Sequence, residues 1–248
     1  MVISLQIGKS LSKGCPGKNV RPVLGRALME YPLLAAKNSR HIKKMFMSTD
    51  SEDIAKVAAG YGAAFVRRPE SLSKIDTLTE HVLIDALRVI REDYKISPSI
   101  ICIFFSNAPM IPKGYVDKAI EILDKSPELD SVFSVCEYNM FTPLRAKKLN
   151  SDGTLRNFIN IEEFGDIKNA NRDAGGDCYF ADLNIQVIRA QCIDNLWSYP
   201  PPIRWMGNHC FGLKLEQGFD IDAEWQFPVA EHWLKQQGFS ADLNPYDC

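Results

Sequence analysis

The sequence has no excess of charge of either sign and no apolar run long enough to cross a membrane. Its 248 residues carry 29 Lys and Arg against 31 Asp and Glu, which gives a formal net charge of −2. Proteins that grip nucleic acid usually show a basic excess or a basic stripe, so this balance argues against a nucleic-acid partner. It leaves room for a small anionic ligand, because a few local cations are enough to hold one. A membrane-spanning helix needs about 20 consecutive apolar residues, and we expect no membrane partner.

Cysteine pairs and targeting signals are also missing. The seven cysteines are scattered along the chain and form no C-x-x-C pair, which excludes an obvious disulfide framework or zinc knuckle. The first ten residues have neither a basic segment nor an apolar stretch of signal-peptide length. Reduced thiols are typical of the cytosol, so we expect a cytoplasmic protein.

Short apolar runs alternate with amphipathic stretches along most of the chain. The predicted strands cover residues 2–7, 43–48, 63–66, 99–105, 131–135 and 180–188. The predicted helices cover residues 28–38, 50–61, 79–93, 114–125 and 223–237. This alternation predicts an α/β fold with a doubly wound, mostly parallel sheet. Residues 137–178 are polar and show no clear period, so we interpret 1–248 as one domain with an inserted arm at 137–178.

The loop Gly8–Asn19 is the first feature that indicates chemistry. It directly follows the first predicted strand, at the end where open α/β sheets bind ligands. It contains three glycines, three lysines and two serines. Glycines let backbone N–H groups approach phosphate oxygens, and lysines supply the counter-charge. The loop is not a Walker motif, because its spacing differs. It is therefore interpreted as a phosphate-binding loop, with a solvated turn as the alternative.

Two carboxylates one residue apart, Asp220 and Asp222, are the second feature. Apolar Phe219 and Ile221 flank Asp220, so a strand end would direct both acids the same way. Hard cations such as Mg²⁺ prefer carboxylate oxygens and bridge to substrate phosphates. The alternative is that Asp222 caps the C-terminal helix. Paired with a phosphate-binding loop, the metal site becomes the better interpretation.

These motifs together resemble the CMP-sugar synthetases. Residues Ser12–Asn19, reading SKGCPGKN, are similar to the S-K-G-x-P-G-K-N signature of that family, which includes the sialic acid, legionaminate and pseudaminate enzymes and, more distantly, the CMP-Kdo synthetases. Further segments match in the family's order and bring the resemblance to roughly residues 1–136 and 180–236. These segments are Ser48–Asp50, Arg68–Glu70, Ser106–Pro109 and Asp220–Trp225.

The resemblance implies a Rossmann-like fold, a homodimer, CTP as co-substrate and Mg²⁺ as cofactor. It implies that Lys18 contacts the nucleotide's phosphates and stabilises charge in the transition state, and that Asp220 and Asp222 hold Mg²⁺. The other positions implied for nucleotide binding are Lys9, Ser10, Ser12, Lys13, Gly14, Asn19, Arg68 near the base, and Asn107. The implied reaction is attack of an acidic sugar's anomeric hydroxyl on the α-phosphorus of CTP, with pyrophosphate leaving. The sugar would be a nonulosonic acid or a related 2-keto acid.

Several positions depart from the family pattern. Lys9, Ser10 and Leu11 stand where the family usually has arginine and a small residue, and lysine keeps the charge but loses the bidentate fork. Phe105 stands where the sialic-acid members have glutamine. Residues Asp182–Asn184 replace an Asn-Gly-Ala run. These departures favour an acceptor with different substituents, or a divergent or inactive member.

The inserted arm corresponds to the family's dimerisation arm, which reaches toward the partner's site. Bidentate arginine suits recognition of an acceptor carboxylate, although a solvated basic face is equally compatible with these cations. The arm's candidate cations are Arg145, Lys147, Lys148, Arg156 and Arg172. With Phe105 and Asp182, the residues Arg145 and Arg172 complete the predicted acceptor contacts.

Two other functions remain open from the sequence. A metal-dependent glycosyltransferase would use Asp220-Ile221-Asp222 as its Asp-x-Asp motif. That motif usually falls mid-chain, however, and the lysine-rich loop would then be unexplained. A catalytically degenerate nucleotide-binding relative would account for Lys9 and Leu11.

Overall fold

The protein is described from a computed structural model that covers residues 1–10, 14–164, 171 and 175–247. Eleven strands are present in these residues: β1 (Val2–Ile7), β2 (Pro22–Val23), β3 (Arg26–Ala27), β4 (Lys44–Thr49), β5 (Ala63–Arg67), β6 (Ile100–Phe105), β7 (Ser131–Glu137), β8 (Lys147–Leu149), β9 (Leu155–Asn157), β10 (Tyr179–Arg189) and β11 (Cys210–Leu215). The helices in the same residues are α1 (Glu30–Asn38), α2 (Glu52–Gly60), α3 (Thr79–Glu92), α4 (Tyr115–Lys125), α5 (Gln191–Asp194) and α6 (Gln226–Gln236).

Seven strands form the central sheet, in the order β11-β7-β10-β6-β1-β4-β5. β1 pairs in parallel with β4 and β6, β4 with β5, and β7 with β11. Strand β10 runs antiparallel to both of its neighbours, β6 and β7. The predicted α/β fold with a mostly parallel sheet is therefore confirmed.

Apolar side chains leave the sheet on both faces, because successive residues of a strand point to opposite sides. In β6, Cys102 and Phe104 join the core formed with α1, α4 and α6. Their neighbours Ile101 and Ile103 join the opposite core, formed with α3 and α5. All four are 0–1% exposed. This two-sided burial explains why β6 reads as a continuous apolar run.

The elements differ from the sequence prediction mainly near the C-terminus. The predicted helix 223–237 begins only at Gln226, because the residues before it belong to a loop that is hydrogen-bonded to Asn107, just beyond the carboxyl end of β6. Asp222 is therefore not the N-cap of α6. The edge strand β11 was not predicted, since its exposed residues break the apolar pattern.

The arm at 137–178 contains two short strands, β8 and β9, which pair with each other and not with the central sheet. All six of their residues are exposed. The arm also carries exposed apolar side chains, among them Phe141 and Phe158. No helix within the described residues combines the length and the apolar character that a membrane span requires.

Candidate functional site

The first loop leaves β1 through a gap that only glycine fits. A Cβ added at Gly8 would lie 2.4 Å from Ser106 Oγ, and the backbone N–H of Gly8 donates to the Ser48 carbonyl at 3.2 Å. The loop is thus held at the carboxyl ends of β1, β4 and β6, where the sequence predicted it. Ser12 and Lys13, two of the predicted nucleotide-binding residues, lie outside the described residues, as does Leu11.

Lys18 is the loop's buried cation. It opens a short 3-10 turn, Lys18–Val20, after Gly17, which has φ +72°. The Lys18 Nζ donates to the Ile221 carbonyl at 2.6 Å and pairs with the Asp222 carboxylate. The lysine side chain is 9% exposed, whereas that of Asp222 is 68% exposed. A buried cation therefore meets a carboxylate that faces solvent.

Asn107 ties the acidic segment to the end of β6. Its Nδ2 donates to Asp220 Oδ2 and to the Ile221 carbonyl, both at 3.0 Å, and the Ile221 N–H donates back to the Asn107 carbonyl at 2.8 Å. Burial, and then the charge of Asp222, raise the pKa of Asp220 above its usual value, although Asn107 and Lys18 oppose this shift. A further cation placed here would relieve the repulsion between the two acids.

A cavity of about 730 Å³ opens at this edge of the sheet. It brings together residues that are far apart in the sequence, from the first loop, the segment that follows β5, the end of β6 and the acidic segment. The predicted site residues that line it are Lys9, Gly14, Lys18, Asn19, Arg68, Phe105, Asn107 and Asp222. Its size and its location at the carboxyl ends of parallel strands are typical of a small-molecule site.

Two polar atoms of side chains that line the cavity are buried without a partner. Asn19 donates from Nδ2 to the Lys9 carbonyl at 2.9 Å, but its Oδ1 accepts nothing. Arg68 donates to the Ser48 carbonyl at 2.9 Å, but its Nε has no acceptor. Buried polar groups are normally satisfied. An orphaned donor and an orphaned acceptor therefore suit a ligand that carries both kinds of group, as a nucleobase does.

Arg68 is a buried guanidinium at the end of β5. Its residue is 7% exposed, and burial lowers its pKa, partly offset by the charges of Asp50 and Asp85. The preceding Arg67 is exposed and pairs with Glu52. The sequence motif Arg67-Arg68 thus contains one surface cation and one cation that faces the cavity.

Ser10 is hydrogen-bonded to Asp50 and does not line the cavity. Its N–H and its hydroxyl both donate to the Asp50 carboxylate, at 2.9 and 2.8 Å. Asp50 lies in Ser48–Asp50, one of the segments that resemble the family. This segment therefore holds the loop Gly8–Asn19, which contains the family's signature. A nucleotide role for Ser10 stays a prediction.

The predicted acceptor residues do not share one place. Phe105 lines the large cavity, whereas Arg145 is exposed on a 3-10 turn of the arm. Arg172 lies outside the described residues. Asp182 is 5% exposed and lines a second cavity of about 220 Å³, on the side of the acidic segment marked by Asp220.

The chemistry of Asp220 and Asp222 fits a magnesium ion. Mg²⁺ is usually held by one or two carboxylates and takes its remaining ligands from phosphates and water. Asp222 lines the cavity, and Asp220 lies within hydrogen-bond distance of Asn107, which also lines it. The described residues contain no group of three or more potential metal-ligating side chains, so these two acids would rely on a bound phosphate.

Sequence reasoning missed the loop between β5 and α3. Lys74, Ile75 and Thr77 line the cavity from this loop, and Lys9 Nζ donates to the Ile75 carbonyl at 3.4 Å. No periodicity marks these residues. Their only signal is position, since they follow the Arg68-Pro69-Glu70 match.

The chain is similar to known proteins over most of its length. Residues 9–191 match the family model for a cytidylyltransferase. The chain is 26% identical over 243 residues to an N-acylneuraminate cytidylyltransferase of Oncorhynchus mykiss, covering 96% of this chain and 51% of that protein. It is 24% identical over 239 residues to a post-translational flagellin modification protein B of Campylobacter coli, covering 93% of each. The chain thus spans about half the length of the first of these relatives.

The fold is also that of a solved nucleotidyltransferase. The structure of CMP:2-keto-3-deoxy-manno-octonic acid synthetase complexed with CTP aligns with a TM-score of 0.67 at 12% identity, covering 95% of this chain and 99% of the other. At this identity the likeness concerns the fold alone.

Proposed function

The chain belongs to the cytidylyltransferase family, and on this premise we propose that it transfers CMP from CTP to the anomeric hydroxyl of an acidic sugar, releasing pyrophosphate. The acceptor would be a nonulosonic acid or a related 2-keto sugar acid. One observation carries the proposal: Lys18 and the acidic segment meet in one cavity at the carboxyl ends of the parallel strands. The relatives named for acylneuraminate support the acceptor class.

The loop's residues would act on the triphosphate. Lys18 would exchange its ion pair with Asp222 for contacts with phosphate oxygens. It would then neutralise the negative charge that builds up as pyrophosphate departs. Preorganised charge of this kind is usually the largest contribution to such a reaction. Because phosphoryl transfer requires little covalent chemistry from the protein, holding the reactants in line would be the rest of the work.

Arg68 and Asn19 would hold the nucleoside. The orphaned Nε of Arg68 and the orphaned Oδ1 of Asn19 offer one donor and one acceptor at the cavity wall. A pyrimidine base would accept a hydrogen bond from the Nε of Arg68, and another group of the ligand would donate one to the Oδ1 of Asn19. Both side-chain atoms would then have a partner. The remaining predicted contacts, Lys9, Ser10, Ser12, Lys13, Gly14 and Asn107, would orient the phosphates from the loop and from the end of β6.

Asp220 and Asp222 would hold Mg²⁺. When bound, the ion would neutralise phosphate charge and fix the orientation of the triphosphate. The chain's own contribution would be to release Asp222 from Lys18, so that the acid and the lysine serve different parts of the ligand.

The arm at 137–178 would serve a homodimer in the cytoplasm. Exposed Phe141 and Phe158 are apolar side chains that a second copy would cover. Arg145 and Arg172 would approach the acceptor carboxylate from the arm, while Phe105 and Asp182 would contact the acceptor from the chain's own cavities.

A coupled pyrophosphate assay tests the proposal. Purified protein with CTP, Mg²⁺ and a panel of nonulosonic and 2-keto sugar acids is expected to release pyrophosphate only when an acceptor is present, and to stop on addition of EDTA. Binding of UDP- or GDP-sugars in preference to CTP would instead favour the glycosyltransferase. A melting temperature raised by CTP without turnover on any acceptor would identify a degenerate relative.

A further inference from the structure

Gln226, the first residue of α6, reaches back to the acidic segment Asp220–Asp222. Its Oε1 accepts hydrogen bonds from the N–H of Asp222 at 2.6 Å and from the N–H of Ala223 at 2.7 Å. Its Nε2 donates to the Asp220 carbonyl at 3.4 Å. One side chain therefore contacts the main chain of both acids that would hold Mg²⁺.

The carboxylates of the two acids meet at one atom, Asn107 Nδ2. This nitrogen lies 3.0 Å from Asp220 Oδ2 and 3.5 Å from Asp222 Oδ1. Between the acids, Ile221 is 0% exposed and packs in the core beside α6. Asn107 bonds to the backbone of this segment at Ile221 alone. The backbone groups of the two acids are therefore left to Gln226.

The contacts of Gln226 are not those of a helix cap. In a capping box, a glutamine at the third helical position bonds to the N–H of the N-cap residue. Here the N-cap is Trp225, and Gln226 is the first residue of the helix. Its two donors, the N–H groups of Asp222 and Ala223, lie before the N-cap and outside α6. The side chain thus orders the loop that carries the acids and not the helix itself.

Magnesium is sensitive to this kind of order. Its ligands must lie about 2.0–2.1 Å from the ion in near-octahedral geometry, whereas two neighbouring carboxylates repel each other. A loop free to relax would let the repulsion move Asp220 away from Asp222. Partners that orient the ligands of a metal in this way contribute to its affinity without touching it.

We propose that Gln226 is a positioning residue, which fixes the placement of Asp220 relative to Asp222 and thereby sets how strongly Mg²⁺ supports CTP binding. This inference rests on the proposed function, because it assumes a cation between these acids and the phosphates. Gln226 lines neither the large cavity nor the one beside Asp182, so it acts only through the backbone of the acids.

Calorimetric titration of CTP without an acceptor tests the proposal in the absence of turnover. The ratio of the Kd in EDTA to the Kd in Mg²⁺ is the enhancement that the ion provides. Gln226→Met keeps the length of the side chain but removes its three hydrogen bonds. It should lower the enhancement by about tenfold, a typical cost of losing an outer partner of a metal site, and leave the Kd in EDTA unchanged.

Three further variants show which atom of the side chain matters. Gln226→Glu keeps an acceptor for the two N–H groups and should retain the enhancement. Gln226→Asn, one methylene group shorter, should give an intermediate value and takes the place of the methionine variant if that protein does not fold. Gln236→Ala is the matched control, because Gln236 is exposed at the other end of α6.

The magnesium dependence of pyrophosphate release gives a second readout. With an acceptor present, Gln226→Met should need about tenfold more Mg²⁺ for half its maximal rate, and should recover the kcat of the unmodified protein when Mg²⁺ is saturating. A purely structural defect would instead lower kcat at every Mg²⁺ concentration.

The outcomes separate this role from the proposed function. A Mg²⁺ enhancement that Gln226→Met lowers, without turnover on any acceptor, would refute the proposed transfer reaction and leave the positioning role standing. An unchanged enhancement in the methionine and asparagine variants, equal weakening in Mg²⁺ and in EDTA, or no rescue by Gln226→Glu would overturn the positioning role. So would the failure of all three substitutions to fold, or CTP binding by the unmodified protein that does not respond to Mg²⁺.

Discussion

Lys18 and Asp222 form an ion pair whose two ends lie in different surroundings. The lysine side chain is 9% exposed and the carboxylate is 68% exposed, while the lysine also donates to the Ile221 carbonyl. The pair therefore joins the first loop to a segment more than 200 residues later in the chain. Because a buried ammonium needs partners, the Asp222 carboxylate and the Ile221 carbonyl together satisfy Lys18.

Replacing Lys18 with alanine should reduce turnover far more than it reduces CTP binding. We expect kcat to fall by about 100-fold or more, the usual cost of removing a group that stabilises charge in the transition state, with a smaller change in the Kd for CTP. Pyrophosphate release and calorimetric titration measure the two quantities. Lys125→Ala, at the exposed end of α4, is the control. Equal losses in kcat and affinity in Lys18→Ala would show that the lysine only binds the nucleotide.

Gly14→Ala should weaken the site by pushing the loop away from the acidic segment. A Cβ at Gly14 would lie 2.5 Å from the Asp222 carbonyl, whereas one at Gly60 in α2 meets nothing within 4 Å. We expect Gly14→Ala to raise the KM for CTP severalfold. Gly60→Ala should leave KM unchanged and stabilise the fold by about 0.5–1 kcal/mol, since alanine favours the helix. Steady-state kinetics and thermal unfolding of both variants provide the comparison, and an unchanged KM in Gly14→Ala would contradict the close approach.

Arg68→Met should reduce discrimination between nucleotides. Its guanidinium is buried at the cavity wall with one orphaned donor, so its loss should raise the KM for CTP and reduce the preference for CTP over UTP by about tenfold, as expected when a hydrogen-bonded recognition group is removed. The adjacent Arg67→Met is a close control, because Arg67 is exposed and pairs with Glu52. The measurement is the ratio of kcat/KM for the two nucleotides. The same ratio in both variants would exclude Arg68 from base recognition.

Asp117→Asn should destabilise the fold in a pH-dependent way. Burial by itself raises the pKa of Asp117, but hydrogen bonds from the Ser39 hydroxyl and from the N–H and side chain of Arg40 lower it below the usual 3.8. Because folding lowers the pKa of this carboxylate, its ionised form stabilises the folded protein when the pH is above 3.8. This contribution to the free energy of unfolding is lost as the pH falls below that value. At pH 7 the free energy of unfolding of the variant should be about 1–2 kcal/mol lower than that of the unmodified protein.

Urea unfolding at pH 7, 5 and 3 measures this difference for Asp117→Asn. The gap from the unmodified protein should persist at pH 5 and narrow at pH 3. Asp124→Asn, exposed on the same helix, should show no gap at either end of the range. A gap for Asp117→Asn that is constant with pH would indicate that packing, and not charge, is responsible.

Most of the fold can be predicted from the sequence, because the buried strands have a clear apolar pattern. The run in β6 sends alternate residues into two cores, so its apolar character is continuous and easily identified. β11 was not predicted because it lies at the edge of the sheet and has three exposed residues. The start of α6 was predicted three residues early, because amphipathic spacing cannot distinguish a helix turn from a loop held by Asn107 and Lys18.

The charged residues of the site could be predicted from the sequence, but many of the other residues that line its cavity could not. Lys18, Asp220 and Asp222 were found from charge and position. The walls at Lys74, Ile75 and Thr77 come from a loop whose residues carry no local pattern. They face the large cavity only because the sheet brings distant segments to one edge, which is a property of the tertiary fold.

The position of β10 has a consequence for how the chain is made. It lies between β6 and β7 and runs antiparallel to both, yet it is synthesised about 40 residues after β7. Until Tyr179–Arg189 leaves the ribosome, β6 and β7 each present an unpaired apolar edge, the kind that recruits foreign strands. Nascent chains that stall in the arm should therefore need a chaperone, and fragments that end before residue 179 should aggregate when expressed alone.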